Sequence, residues 1–130
     1  MKASRYQFAL DMHDVQSQVC LMATEGDTMR EFVINLCEGG EAFTAEGVTS
    51  LQMLIEGPDR KVRAEFGDNN PRLSEDCSQV IYRFTNDTCP NEGLYECKIV
   101  FYGDAAQNEV LWTPCFSIFA GKKKQDRMTL

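Results

Sequence analysis

The sequence predicts an all-β chain, built as an antiparallel β-sandwich of seven to eight strands. Short segments in which apolar and polar residues alternate recur along its 130 residues. Glycine, proline, asparagine and aspartate separate these segments, and no segment has a sustained helical period of 3.6 residues. Many short strands punctuated by turns are typical of a sandwich of two sheets.

Strands are predicted in the first half of the chain at residues 6–11, 19–23, 29–37 and 48–56. In the third of these, Phe32, Ile34 and Leu36 alternate with more polar residues, so one face should be buried. Gly39 and Gly40 end that strand. The fourth strand should pair with residues 61–66 around the turn Gly57-Pro58-Asp59, because the fixed φ of proline suits a turn and not a ladder.

A further strand is predicted at 79–85, followed by a closing hairpin of 93–102 with 110–119. The side chains expected to face inward are Tyr95, Cys97, Ile99 and Phe101 from the first strand and Val110, Trp112, Phe116 and Ile118 from the second. This register places Cys115 on the opposite face from Cys97. Only a bulge near Pro114, which cannot donate to a ladder, would bring both cysteines to one face.

The length bounds the chain to one domain, expected at residues 1–120, with a polar and flexible tail at 121–130. Hydrophobic content of 43% and charged content of 25% are ordinary for a globular protein. A net charge of −7 argues against a nucleic-acid partner, because neutralising phosphates needs clustered lysine and arginine. The basic run Lys122-Lys123-Lys124 is interpreted as a solubilising end. No run reaches membrane-spanning or signal-peptide length, so no membrane partner and synthesis in a cytoplasm are expected.

Six cysteines are present, but none of their spacings is the Cys-x-x-Cys pair typical of zinc or redox sites. Cys37 and Cys97 are about as far apart along the sequence as the paired cysteines of an immunoglobulin domain. Without an export signal, free thiols acting as small buried hydrophobes are favoured over disulfides.

No catalytic constellation is recognisable, so the chain is not expected to be an enzyme, and no catalytic, cofactor-binding or metal-binding residue is predicted. The single histidine, His13, lies between Asp11 and Asp14, which alone indicates an exposed polar segment. Residues 68–70 and Asp104 offer oxygen ligands of the kind calcium prefers. Turn chemistry explains these residues at least as well, because Asp and Asn tolerate left-handed backbone.

The aromatic residues leave one alternative open. Trp112 with Tyr102 or Phe119 could line a carbohydrate-binding face, as stacked aromatics on sheets do. Their parity among apolar neighbours favours core or interface packing instead. A carbohydrate-binding or adhesive β-sandwich module is therefore the alternative function.

Tyr95 lies two residues before Cys97 and follows Gly93, which resembles the tyrosine corner of an immunoglobulin domain. The sequence departs from that pattern because its only tryptophan, Trp112, follows this cysteine instead of lying between the two. A tyrosine hydroxyl that ties off the end of a strand is expected even so.

A second resemblance covers residues 6–120. Its motifs, in order, are Gly26-Asp27, the strand at 30–36, Gly39-Gly40, Val48-Thr49, Gly57-Pro58-Asp59, the strand at 80–85 and the closing segment 111–118 with Thr113, Phe116 and Ile118. Their order and spacing resemble the N-terminal domain of the phage baseplate upper protein family. Members of that family continue into a helical or receptor-binding region, so this chain is expected to be a short or truncated member.

The resemblance implies an immunoglobulin-like β-sandwich with a structural, non-enzymatic role in a phage or prophage tail baseplate. Its implied partners are other tail proteins, namely the distal tail protein and receptor-binding proteins, and a homo-oligomer is left open. The implied location is the virion, after assembly in the bacterial host cytoplasm. No binding residue is implied, because the matching motifs are core and turn positions.

Overall fold

The computed structural model describes residues 1–14, 16–65 and 69–123. Within these residues the chain forms eleven β-strands and a single turn of 3-10 helix at Ala105–Gln107, which confirms the all-β prediction. The strands are β1 (Ser4–Asp11), β2 (Gln16–Thr24), β3 (Arg30–Glu38), β4 (Glu41–Ala42), β5 (Ser50–Glu56), β6 (Val62–Glu65), β7 (Arg72–Leu73), β8 (Gln79–Arg83), β9 (Gly93–Tyr102), β10 (Val110–Trp112) and β11 (Cys115–Gly121).

The strands form two sheets that enclose a common cluster of buried side chains, which is the architecture of a β-sandwich. Sheet A has five strands in the order β1-β3-β8-β7, with β4 paired to β3. Sheet B has six strands in the order β2-β11-β9-β5-β6, with β10 paired to β9. The predicted hairpin of β5 and β6 is confirmed, with Glu56 opposite Val62 and the amide of Gly57 donating to the carbonyl of Lys61 at 3.1 Å.

The expectation of purely antiparallel sheets was wrong, because both sheets are mixed. β1 runs parallel to β3, and β2 runs parallel to β11. The chain passes from sheet A to sheet B between β1 and β2, so these two consecutive strands belong to different sheets and form no hairpin. Each lies at an edge of its own sheet beside a strand that runs in the same direction. Alternation predicts a strand but carries no information about its orientation.

The chain also has more strands than the seven to eight predicted. Two of the additional strands, β4 and β7, have two residues each, which is too short to show alternation. The third arises because the predicted strand at 110–119 is broken at Pro114 into β10 and β11.

The core joins the two sheets through aromatic side chains. Phe32 in β3 contacts Phe84 edge-on, with 5.0 Å between ring centres, and Phe116 of sheet B at 6.2 Å. Phe32, Ile34 and Leu36 are buried as their alternation predicts. Burying each such side chain contributes about 1.5–3 kcal/mol.

A polar cluster around the buried Tyr82 and Thr88 also ties the sheets together. The Tyr82 hydroxyl in β8 of sheet A donates to Glu65 Oε2 in β6 of sheet B at 2.8 Å and lies 2.6 Å from Thr88 Oγ1. Arg63 donates to Glu65 Oε1 at 2.8 Å and to the Thr88 carbonyl at 3.1 Å. Burial, the largest cause, raises the pKa of Tyr82 far above its usual value, so the phenol stays protonated. The cluster anchors β6, which is the edge strand of sheet B.

The last strand, β11, ends at Gly121. The predicted tail lies outside the described residues from residue 124 onward, so the division into a domain at 1–120 and a tail stays a prediction. Among the described residues, no helix is long and apolar enough to cross a membrane.

A candidate interaction surface on the outer face of sheet B

The closing strands contain a bulge that decides which side chains reach the surface. Trp112 lies opposite Val100, whereas Phe116 lies opposite Cys97. Four residue steps on one strand therefore match three on β9, so residues 113–115 contain one extra residue. Thr113 holds this bulge in place, because its Oγ1 accepts a hydrogen bond from the Ile99 amide at 2.9 Å.

The bulge corrects two sequence predictions. Phe116 and Ile118 face the core as expected, but Val110 and Trp112 are exposed on the outer face of sheet B. The prediction that Trp112 packs inward was wrong, because the extra residue reverses its parity relative to Phe116. Phe116 lies opposite Cys97, and both side chains face the core. Cys115 precedes Phe116, so its side chain points to the opposite face from Cys97, as predicted. The bulge changes the orientation of Trp112 and does not bring the two cysteines to one face.

An apolar row crosses the outer face of sheet B at one end. Phe119 lies opposite Leu94 of β9 and beside Met22 of β2. Their exposed fractions are 42%, 48% and 56%, respectively. Exposed apolar side chains that are contiguous, in contrast to scattered ones, are typical of surfaces that a partner covers.

A charged row follows the apolar row. Glu56 and Glu96 lie directly opposite each other on β5 and β9. The Ser117 hydroxyl donates to Glu96 Oε2 at 3.1 Å. Neither carboxylate forms an ion pair within the described part of the chain, although Arg60 lines a groove beside both. Like charges at directly opposed positions destabilise a sheet, so this pair is a local cost of the fold.

Lys98 and Trp112 form the next part of the face. The ammonium nitrogen of Lys98 lies 4.4 Å from the centre of the Trp112 ring, within the range of a cation–π interaction. Trp112 is 49% exposed. A groove of about 250 Å³ opens here, lined by Leu54, Glu56, Val62, Glu96, Cys97, Lys98, Trp112 and Cys115.

The outer face of sheet A differs from that of sheet B, because several of its polar side chains are paired with one another. Arg5 forms an ion pair with Glu31 at 2.6 Å. The side-chain oxygen of Asn35 accepts hydrogen bonds from Gln7 at 3.3 Å and from Gln79 at 2.7 Å. These polar side chains satisfy one another. Arg72 and Arg83 on the same face form no ion pair within the described residues, so the exposed apolar row, and not unpaired charge as such, distinguishes sheet B.

The tyrosine predicted to tie off a strand does so. The Tyr95 hydroxyl donates to the Asn91 carbonyl at 2.7 Å and accepts from the Asn91 amide at 3.1 Å. Burial is the largest cause of the raised pKa of Tyr95. The contact fixes the entry of the chain into β9, the strand on which Glu96 and Lys98 lie.

The residues considered for chemistry have structural partners. His13 is exposed, with Nε2 3.1 Å from Glu38 Oε1. Asp11 accepts from the amides of His13, Gly39 and Gly40, and these backbone hydrogen bonds lower the pKa of its carboxyl group. Asp11 therefore caps the turn between β3 and β4. The expectation that the chain is not an enzyme stays a prediction.

The six cysteines are free thiols, and only Cys89 and Cys97 are buried. Burial raises the pKa of Cys89 to about 12 and raises that of Cys97 well above its usual value. Burial, with the charges of Asp11 and Asp14, also raises the pKa of Cys37. These three thiols are therefore protonated near neutral pH and are poor nucleophiles.

The oxygen donors considered for calcium hold the backbone instead. The Asn70 side chain accepts from the Arg83 amide and donates to its carbonyl, each at 2.8 Å. Asp104 accepts from the Ala106 amide at 2.9 Å at the start of the 3-10 turn. Asp68 lies outside the described residues. Within those residues, no group of three or more His, Cys, Asp or Glu side chains could hold a metal ion.

The parity of β9 already predicts Glu96 and Lys98 on its outer side. Their neighbours on this face could not be predicted from the sequence. The bulge that exposes Trp112 and the pairing that places Glu56 opposite Glu96 both depend on how distant strands pair in the tertiary structure. The fold and this face together define a β-sandwich domain whose sheet B exposes an apolar and charged outer surface suited to contact with another protein.

Comparison with solved structures shows a likeness in fold. The fold is similar to that of the N-terminal domain of phage TP901-1 ORF48, with a TM-score of 0.65 and 12% sequence identity. The alignment covers 92% of this chain and 99% of that one. No protein-family model matches the sequence, and no curated protein matches it. At this identity the likeness establishes a shared fold alone.

Proposed function

We propose that this chain is a non-enzymatic structural domain of a phage or prophage tail baseplate. In that role it docks to other tail proteins, the distal tail protein among them, and supports receptor-binding proteins. The observation that carries the proposal is the likeness to a domain of a phage protein over nearly the full length of both chains. The virion is then the site of action, after assembly in the cytoplasm of the bacterial host.

The sequence motifs that resemble the baseplate upper protein family lend further support. Gly39 and Gly40 close the β3–β4 turn, and Gly57-Pro58-Asp59 forms the β5–β6 turn. The tyrosine corner at Tyr95 supports the finer description of the fold as immunoglobulin-like. An assembly role also calls for apolar surface that neighbouring subunits cover, whether these are tail proteins or copies of this chain, and the exposed row on sheet B supplies it.

The baseplate role is tested in particles and with purified proteins. Mass spectrometry of particles from the phage or prophage that encodes the chain should detect it in stoichiometric amount with tail proteins. Co-expression with the distal tail protein of the same genome should give a complex that survives size-exclusion chromatography. Absence from particles, together with absence of any complex with the tail proteins of that genome, would contradict the proposal.

A second candidate function is saccharide binding, which the exposure of Trp112 favours. The ring lies in the 250 Å³ groove beside Glu56 and Glu96. An aromatic ring can stack on the C–H face of a sugar while carboxylates accept from its hydroxyl groups. Binding to a glycan array or to host cell-wall polysaccharide that Trp112→Ala abolishes and Trp112→Phe largely retains would support this candidate. A purified domain that binds no glycan in either assay would remove it.

A further inference from the structure

The outer face of sheet B carries charges of both signs that form no ion pair within the described part of the chain. We propose that this face is the interface between two copies of this chain. The inference goes beyond the proposed function, because such a pair could form in a baseplate domain and in a saccharide-binding module alike.

The first argument is the arrangement of charge along β9. Glu96 and Lys98 are two residues apart, so both side chains point outward, and the strand rise separates them by about 7 Å. Glu56 lies opposite Glu96, which places two carboxylates in one row and an ammonium in the next. In the described part of the chain none of the three forms an ion pair.

This pattern is complementary to itself. Consider two copies whose B sheets pack face to face, related by a two-fold axis that lies in the interface. If this axis runs perpendicular to β9 and passes between Glu96 and Lys98, then β9 of one copy lies antiparallel on β9 of the other. Lys98 of each copy then lies over Glu96 of the other. In an isologous interface every contact of this kind occurs twice, so one pairing supplies two ion pairs. The same contact brings Lys98 close to Glu56, which relieves the repulsion between the two carboxylates.

The same axis also matches the apolar residues. Leu94 and Val100 are equally far from the axis in opposite directions along β9, but Val100 is fully buried within its own chain. The exposed aromatic residues beside these two positions supply the apolar contact instead. Phe119 lies beside Leu94, and Trp112 lies beside Val100 on the same side of β9. The axis therefore brings Phe119 of one copy onto Trp112 of the other. Aromatic and methionine side chains are enriched in such interfaces, and Met22 extends the row beyond Phe119.

Sheet A offers no comparable face. Arg5 is paired with Glu31 there, and Asn35 with Gln79. A partner on sheet A would have to displace these contacts. Two outer charges of sheet A that form no ion pair in the described residues, Arg72 and Arg83, have the same sign, so two copies of this face would repel each other. Sheet B instead gains ion pairs that its own fold leaves unmade.

Sedimentation equilibrium over a range of protein concentrations tests the proposal. The wild-type chain should dimerise, and Glu96→Lys or Lys98→Glu should each raise the dissociation constant by about tenfold or more. The double variant Glu96→Lys/Lys98→Glu should restore dimerisation, because opposite charges again face each other. Glu41→Lys in the exposed strand β4 of sheet A makes the same charge change as Glu96→Lys and should leave the dissociation constant unchanged.

A second readout needs no variant. The carbodiimide cross-linking of mixed unlabelled and ¹⁵N-labelled protein should give an amide between Lys98 of one copy and Glu96 of the other, seen as a mixed-label peptide pair. A monomer at every concentration would overturn the proposal. So would a dimer that both single charge variants leave intact, or a monomer whose face binds a glycan or a tail protein instead. Loss of tail-protein binding with an intact dimer bears on the proposed function alone.

Discussion

The ammonium nitrogen of Lys98 lies 4.4 Å from the centre of the Trp112 ring, on the outside of the sandwich. Trp112 is the only tryptophan of the chain, so its fluorescence reports on this contact without interference. At concentrations low enough to keep the chain monomeric, we expect native emission close to that of the unfolded chain. Iodide should quench it strongly.

Lys98 makes the quenching test specific. The positive charge beside the ring concentrates iodide there, so Lys98→Met should lower quenching by iodide while leaving quenching by neutral acrylamide nearly unchanged. Emission typical of a buried indole, with weak quenching by both agents, would mean that Trp112 is covered in the monomer.

The tyrosine corner should contribute measurably to stability. Tyr95→Phe removes the hydroxyl that bonds both backbone groups of Asn91, and we expect a loss of about 1–3 kcal/mol in the free energy of unfolding. Urea unfolding followed by circular dichroism measures the difference. Tyr102→Phe is the control, because that hydroxyl donates to the side chain of Gln52 at 2.7 Å and the residue is half-buried. Equal losses for both variants would contradict a special role for Tyr95.

Gly93 is placed where no side chain fits. Its φ is +134°, and an added Cβ would lie 2.5 Å from Pro58 Cγ. Gly93→Ala should therefore cost about 2–4 kcal/mol, from backbone strain together with overpacking against the β5–β6 turn. Gly40→Ala separates the two causes, because φ is +84° there but the surrounding space is open. Gly40→Ala should lower the free energy of unfolding by about 1–2 kcal/mol, measured by urea unfolding. A loss of the same size for Gly93→Ala would argue against a clash between the added Cβ and Pro58.

Stability should decrease at alkaline pH. Burial raises the folded-state pKa of Tyr82 above its usual 10.0 and that of Cys97 above its usual 9.0. Above those usual values the unfolded chain loses these protons while the folded chain keeps them, so raising the pH favours unfolding. Each group should contribute a slope of up to about 1.4 kcal/mol per pH unit.

Variants of the two groups check the alkaline effect. Cys97→Ala should flatten the dependence of unfolding free energy on pH above pH 9, and Tyr82→Phe should flatten it above pH 10. Tyr82→Phe also loses its bond to Glu65, so it should be less stable than wild type at neutral pH. Slopes identical to wild type in both variants would show that other groups govern alkaline unfolding.

The sequence by itself determined where most of the longer strands lie. Alternation in β3 identified Phe32, Ile34 and Leu36 as buried, and the turn at Gly57-Pro58 predicted the β5–β6 hairpin. Parity along β9 also separated Glu96 and Lys98 from the core. These features are local, because the two-residue period of a strand assigns each side chain to a face without reference to any other strand.

Only the tertiary structure decided how the strands meet. The parallel edges made by β1 and β2 depend on the chain changing sheets between them. The exposure of Trp112 depends on a one-residue bulge, and the opposition of Glu56 to Glu96 depends on the register between β5 and β9. Register and orientation arise from pairing between distant segments, and a slip of a single residue exchanges the buried and exposed faces.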